Sequence, residues 1–265
     1  MVDRIVSYSG NDYGLRELHN QTLLFLEMLD AHCKKYSIKY SLAYGSMLGC
    51  VRSHGFIPWD DDVDIVMMRT DYDRLIESLS NQDTDLSRKC SLYCPRYINK
   101  LLYVVVDDER KQSYTMYMDL FAADIVHKNP FFEKCKSVAI ILLKNIIVGR
   151  TVKNSTRFSR KIRRVLAHVV SFPFSIEKLK KLYLKLALWG SKKPSDKFSC
   201  YYASHLSYGI SHNVDVFKNV KYMPFEDIEL PVMEGYHKYL TTEFGDYMTP
   251  PPQKDRHATH AEGWN

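Results

Sequence analysis

The stretch YGSMLGCVRSHGFIPWDDDVD, residues 44–64, decides how this chain is read. Its end gathers Asp60, Asp61, Asp62 and Asp64, and the next basic residue is Arg69. Two carboxylates about 6 Å apart repel by roughly 3 kcal/mol at an effective dielectric near 20. A fold that collects several of them at a buried strand end must protonate some or bind a cation. Hard oxygen ligands favour magnesium or manganese. Val63–Met68 is apolar and β-branched at its start, so it reads as a buried strand. Alternate strand residues share a face. Asp62 and Asp64 can therefore chelate from one face while Val63 and Ile65 point into the core. The plain alternative is a solvated acidic turn.

The start of the stretch weighs against that alternative. Ile38–Tyr44 reads as a short strand, followed by Gly45-Ser46. Ser46 is expected to cap a short helix running through about Val51. A glycine lets backbone N–H groups approach a phosphate, and a helix start adds its positive dipole. The order strand, Gly-Ser, short helix, strand with Asp-x-Asp can set a phosphate cradle beside a metal site.

Further out, Leu15, Leu18, Thr22, Phe25, Leu26, Leu29 and Cys33 recur at helical spacing, so a helix is expected over about 14–36. Another is expected over Asp71–Leu79. Leu101–Val106 and Tyr114–Val126 read as strands, the second ending near His127. A third carboxylate is sought on a neighbouring strand. Asp119 in MYMDLFAADIV interrupts an apolar run, and a buried lone aspartate is costly without a cation. Pairing with a buried arginine or capping a turn is its structural alternative. Asp124 is the second candidate.

The chain has 265 residues, of which 45% are hydrophobic, enough for a substantial core. With 26% charged and 13% aromatic residues it does not have a disordered composition. The opening MVDRIVSYSGNDYG lacks the basic and apolar regions of a secretory signal. Val138–Val148 is too short for a membrane span and carries Lys144. The six cysteines are scattered and read as reduced thiols of a cytoplasmic protein. Cys90 and Cys94 lack the second ligand pair of a zinc finger.

The net charge of +6 is unevenly spread: Lys134 to Lys193 holds 16 Lys and Arg against one acid, Glu177, and the remainder is net acidic. This basic stretch also carries helical apolar runs, Val138–Val148 and Leu179–Leu188. It reads as an interfacial platform for anionic lipid, giving peripheral contact at the inner membrane face. An anionic glycan or nucleic acid, or an ordinary solvated face, are the alternatives.

Three segments carry a resemblance: LAYGSMLGCVRSHGFIPWDDDVDIVMMRTDYDRL at 42–75, MDLFAADIV at 118–126, and FEDIELPVMEGYHKYLTTEFGDYMTPPPQKDRHATH at 225–260. Here the chain resembles the LicD family within the nucleotidyltransferase superfamily. The resemblance implies an α/β (α+β) fold: a nucleotidyltransferase-like mixed sheet flanked by helices, one catalytic domain over 1–265 with a basic helical insertion at 134–193. It implies transfer of a phosphorylated alcohol, typically phosphocholine from CDP-choline, to a sugar hydroxyl of a surface glycan or its lipid-linked precursor. Fukutin-related members move other phosphoalditols. The family's metal carboxylates correspond to Asp62 and Asp64, with Asp119 as the third, holding Mg2+ or Mn2+.

Around them, Gly45, Ser46, Arg52 and Lys100 are candidates for the donor phosphates. Arg52 could instead pair with Asp60 or Asp61, and Lys100 could be a surface lysine. Trp59 could stack on cytosine or choline, or pack its loop. Asp246, Arg256, His257 and His260 lie in the C-terminal motif and could fold over the donor. Family members often end in adjacent histidines, whereas Ala258 and Thr259 separate the two here. Three competing functions are nucleotidyl transfer to a small molecule or sugar, a non-catalytic anion-binding module, and an Asp-x-Asp glycosyltransferase. The carboxylate set disfavours the second, and the Gly-Ser element the third.

Overall fold

The computed structural model describes residues 13–93, 99–107, 112–151, 171, 174–201 and 210–257. The chain forms two compact units. The first comprises Met1–Tyr93, Lys100–Ala122 and Asp215–Asn265; the second comprises Cys94–Asn99 and Ala123–Val214. The fold is mixed α/β, with helices flanking a sheet, as the sequence led one to expect.

In the first unit, helix α1 (Arg16–Lys35) buries Leu18, Phe25, Leu26, Leu29 and Cys33, the stripe expected from the periodicity. Strand β1 (Ser41–Leu42), helix α2 (Tyr44–Ser53), strand β2 (Val63–Met68) and helix α3 (Arg69–Ser78) follow. Next come α4 (Asp85–Lys89), β3 (Cys90–Tyr93), β4 (Asn99–Asp107) and β5 (Gln112–His127). The strand order is β1-β2-β5-β4-β3. β1 pairs antiparallel with β2, Leu42 opposite Ile65. Val63, Ile65 and Val66 have no exposed surface, so β2 is a buried strand with the bounds expected of it.

The segment 38–47 departs from expectation. Its strand is only the two residues Ser41–Leu42; the Ala43 N–H still donates to the Asp64 carbonyl at 2.9 Å, in register with the β1–β2 pairing, before the backbone turns. Tyr44, at φ 41, then starts the helix two residues before Ser46. The N-cap is Ala43, and Ser46 does not cap the helix. At the other end His54, in the left-handed region at φ 56, stops the helix past Val51. The hairpin of β8 (Val220–Phe225) and β9 (Ile228–Met233) turns at Glu226-Asp227. It docks on the unit through the Met233 N–H, which donates to the Ser41 hydroxyl at 2.9 Å.

In the second unit, the end of β5 pairs antiparallel with β6 (Pro194–Ser199), which pairs with β7 (His212–Asn213). Helices Pro130–Thr151 and Ile176–Ala187 pack on each other and contain most of the two apolar runs noted in the basic stretch. Ser175 caps the second by accepting from the Lys178 N–H at 3.2 Å. Among the described residues no helix is long and apolar enough to cross a membrane.

Candidate active site

Asp64 is the second residue of β2, Asp62 stands just before that strand, and Asp119 lies on the neighbouring β5. Each offers a carboxylate oxygen within 4.8 Å of the other two. Asp60, Asp61 and Asp62 form a second such group. Asp62 therefore belongs to both, while Asp60 and Asp61 stand outside the strand-end triad. Burial pushes the Asp64 carboxyl well above the usual carboxylate range; the charges of Asp62, Asp119 and Asp60 push the same way, and Lys100 opposes them. The Lys100 Nζ makes an ion pair with Asp119 Oδ1 at 2.5 Å. Lys100 is therefore part of the carboxylate cluster rather than a detached surface lysine.

Ser46 has a role that its sequence position does not advertise. Its buried hydroxyl oxygen accepts the Asp64 N–H at 2.9 Å, tying the start of α2 to the strand that carries Asp62 and Asp64. Gly45 lies close against the acidic loop: a Cβ there would lie 2.5 Å from Asp60 Oδ2 and push that side chain aside. The Gly-Ser pair and the acidic loop are thus packed directly on each other.

The rim is basic and aromatic. The Arg256 guanidinium lies 5.0 Å from the centre of the Trp59 ring, a stacking distance for a cation on indole. Arg256 also donates from Nε to the Pro251 carbonyl at 2.9 Å. Arg52 is half-buried and reaches the Tyr247 carbonyl at 3.4 Å. Burial lowers its pKa, the charge of Arg256 adds to that, and Asp60 opposes it. Two guanidinium groups from distant parts of the chain thus feel each other beside Asp60, an arrangement suited to a polyanion.

Composition and motif gave no sign of His19. It lies on the buried stripe of α1, stacked on Phe56 at 4.2 Å with the ring planes 1° apart. Its Nε2 meets the Asp60 carbonyl at 2.6 Å, where an N–H on that nitrogen donates. Glu226 braces the same loop, its Oε1 accepting the Phe56 N–H at 2.9 Å. The only signal in the sequence was an ionisable ring inside an apolar stripe.

Burial lowers the His19 pKa to about 4. The unfolded chain takes up this proton near pH 6.5 and the folded chain resists it. Stability from neutral His19 is therefore complete above about pH 6.5 and declines as pH falls toward 4, by about 3 kcal/mol in total. In urea unfolding at pH 7, 5.5 and 4.5, His19→Phe should flatten this decline. An unchanged pH slope would contradict the neutral, buried ring.

The family model "LicD/FKTN/FKRP, nucleotidyltransferase domain" matches residues 37–140, a span that holds Gly45, Ser46, Asp62, Asp64 and Asp119. The chain is also 28% identical over 273 residues to the lipopolysaccharide cholinephosphotransferase LicD of Haemophilus influenzae, covering 92% of this chain and 96% of that protein. Over these residues the chain is similar to the LicD family.

Not every candidate residue gathers at the carboxylate cluster. Asp124 is five residues from Asp119, so strand alternation turns it to the opposite face. It is 1% exposed and acts electrostatically on Lys136 and Tyr201 in the second unit, which removes it as an alternative third ligand. Asp246 is exposed and accepts the Thr249 hydroxyl at 2.7 Å. His257 is exposed beside Arg256. His260 and Cys94 lie outside the described residues. Cys90 is a free thiol that burial pushes up to about 12.

Proposed function

We propose that this protein transfers a phosphorylated alcohol, phosphocholine from CDP-choline, to a sugar hydroxyl of a surface glycan or its lipid-linked precursor. The observation that carries the reading is the convergence of Asp62, Asp64 and Asp119 beside the Gly45-Ser46 element. Kinship with a lipopolysaccharide cholinephosphotransferase supports the choice of substrate.

The residues present fit a divalent cation. Three hard oxygen donors converge, and the raised Asp64 pKa marks a place where negative charge lacks compensation. Asp62, Asp64 and Asp119 would hold Mg2+ or Mn2+, which when bound would neutralise charge developing on the donor phosphates. Arg52, Arg256 and Lys100 would bind the diphosphate, and Trp59, backed by Arg256, would present an aromatic face to the cytosine or choline end.

The reaction is an in-line displacement. The acceptor oxygen attacks the phosphorus that bears the alcohol, and the bridging P–O–P bond breaks. CMP leaves with the electron pair, and the hydroxyl proton passes to Asp119.

A second reading, nucleotidyl transfer, is favoured by the family model's own description as a nucleotidyltransferase domain. Donor labelled separately in choline and in cytidine distinguishes the two. The choline label should appear on the glycan while the cytidine label leaves as CMP. Cytidine label on the acceptor would establish the second reading instead.

A further inference from the structure

Among its described residues, the second unit exposes apolar side chains outside the buried stripes of its helices. In helix Pro130–Thr151 the buried stripe is Lys136, Ile140, Leu143 and Ile147. Phe131, Val138 and Leu142 recur on the opposite side, within about 40° of one another at 100° per residue. They are 69%, 48% and 60% exposed. A surface helix of a globular protein needs one apolar face; this one has two, and the second faces outward.

Aromatic side chains extend that surface. Phe132 and Trp189 are exposed, with ring centres 6.2 Å apart, and Phe131 meets Phe132 at 5.7 Å. Helix Ile176–Ala187 buries Leu179, Tyr183 and Ala187 and turns Lys178, Lys181 and Lys185 outward, with Leu182 and Leu184 exposed on either side. Apolar side chains interleaved with lysines and bordered by aromatics form the pattern of an interfacial helix.

From this we infer that the outer faces of these two helices dock the protein on an anionic lipid bilayer. Charge selects this occupant. Among the described residues of these two helices, Lys134, Lys178, Lys181 and Lys185 are exposed against the one exposed acid Glu177, so a second copy would bring two like-charged faces together. A nucleic acid would satisfy the lysines but leave Phe131 and Leu142 in water. A bilayer with acidic headgroups satisfies both, with the apolar side chains entering the headgroup boundary and the lysines staying at phosphate level. The inference stands on this surface alone and holds whichever donor the carboxylate site uses.

The test is co-sedimentation of the full chain with phosphatidylcholine vesicles, with and without one quarter phosphatidylglycerol. Binding should require the anionic lipid and weaken in 0.5 M salt. Lys178→Gln, Lys181→Gln and Lys185→Gln should each reduce the partition coefficient about five-fold. Phe131→Ser/Leu142→Ser should abolish binding at low salt. These positions are exposed, so the melting temperature should hold, and a thermal melt of each variant checks that the loss is not unfolding.

Equal binding to neutral and anionic vesicles, or variants that bind as the parent does, would overturn the inference. So would a chain that ignores vesicles but loses a dimer in sedimentation velocity when Leu142 is replaced, because the face would then be a self-interface. Retained nucleic-acid binding without lipid binding would overturn it equally. Transfer to a soluble acceptor is assayed separately, so loss of lipid binding and loss of catalysis are told apart.

Discussion

Asp64→Asn should melt at a higher temperature than the parent protein in EDTA, and at a lower temperature than the parent in magnesium. Asp64 is held above the ordinary carboxylate range by burial and by three neighbouring carboxylates. Its ionisation therefore opposes folding. A raised carboxyl contributes most stability at low pH and loses it as pH rises through the interval between its unfolded and folded values. At neutral pH an amide of the same shape removes that cost, a gain of about 1–2 kcal/mol. The Ser46 bond goes to the backbone N–H of residue 64 and survives the change.

The same amide withdraws a charged ligand from the triad. Magnesium should then no longer stabilise the variant, whereas it stabilises the parent by mass action. Loss of several kcal/mol of charge stabilisation should slow transfer about 10²- to 10⁴-fold. Greater stability together with lost activity is a pattern that general misfolding does not produce.

The second large effect lies in the other unit. Glu133→Ala should cost about 3–5 kcal/mol, because it leaves a fully buried charge without its partner. The Lys136 side chain has no exposed surface, and its Nζ lies 2.8 Å from Glu133 Oε2. That oxygen also accepts the His127 N–H at 2.7 Å, and Tyr201 donates its hydroxyl to Oε1 at 2.5 Å. Lys136 stands 4.3 Å from the centre of the Tyr201 ring. Glu133 thus ties the start of its helix to the end of β5 and to Tyr201. Replacing both partners, as Glu133→Leu/Lys136→Met, should recover much of the loss. Guanidinium unfolding gives both values, and a single-variant cost below about 1 kcal/mol would contradict the buried pair.

The elements that were legible in the sequence are those whose pattern is local. β2 has its expected bounds because its apolar run is short and β-branched at its start, which favours a buried strand. α1 follows from its repeat. Asp119 stood out because a charge broke an apolar run, and strand alternation put Asp62 and Asp64 together. What the sequence hid depends on contacts between distant residues. Ser46 reads as a cap by type, but the helix starts two residues earlier, at Tyr44, and the Ser46 hydroxyl accepts the Asp64 N–H instead. The stacking of Arg256 on Trp59, and the hydrogen bond from His19 to the Asp60 carbonyl, join segments that no spacing rule connects. Lys136 is lost among other bases of its segment, and only packing shows that it is buried.

Every role proposed for the site depends on Asp62, Asp64 and Asp119 closing on a divalent ion. Calorimetric titration of magnesium into the metal-free protein and into Asp64→Asn measures this directly. The parent should bind and release protons, with the apparent heat changing with the buffer's ionisation enthalpy, because a raised carboxyl must ionise to become a ligand. Asp64→Asn should show neither the binding nor the proton release. Equal magnesium binding by both proteins, or none by the parent, would contradict the metal centre.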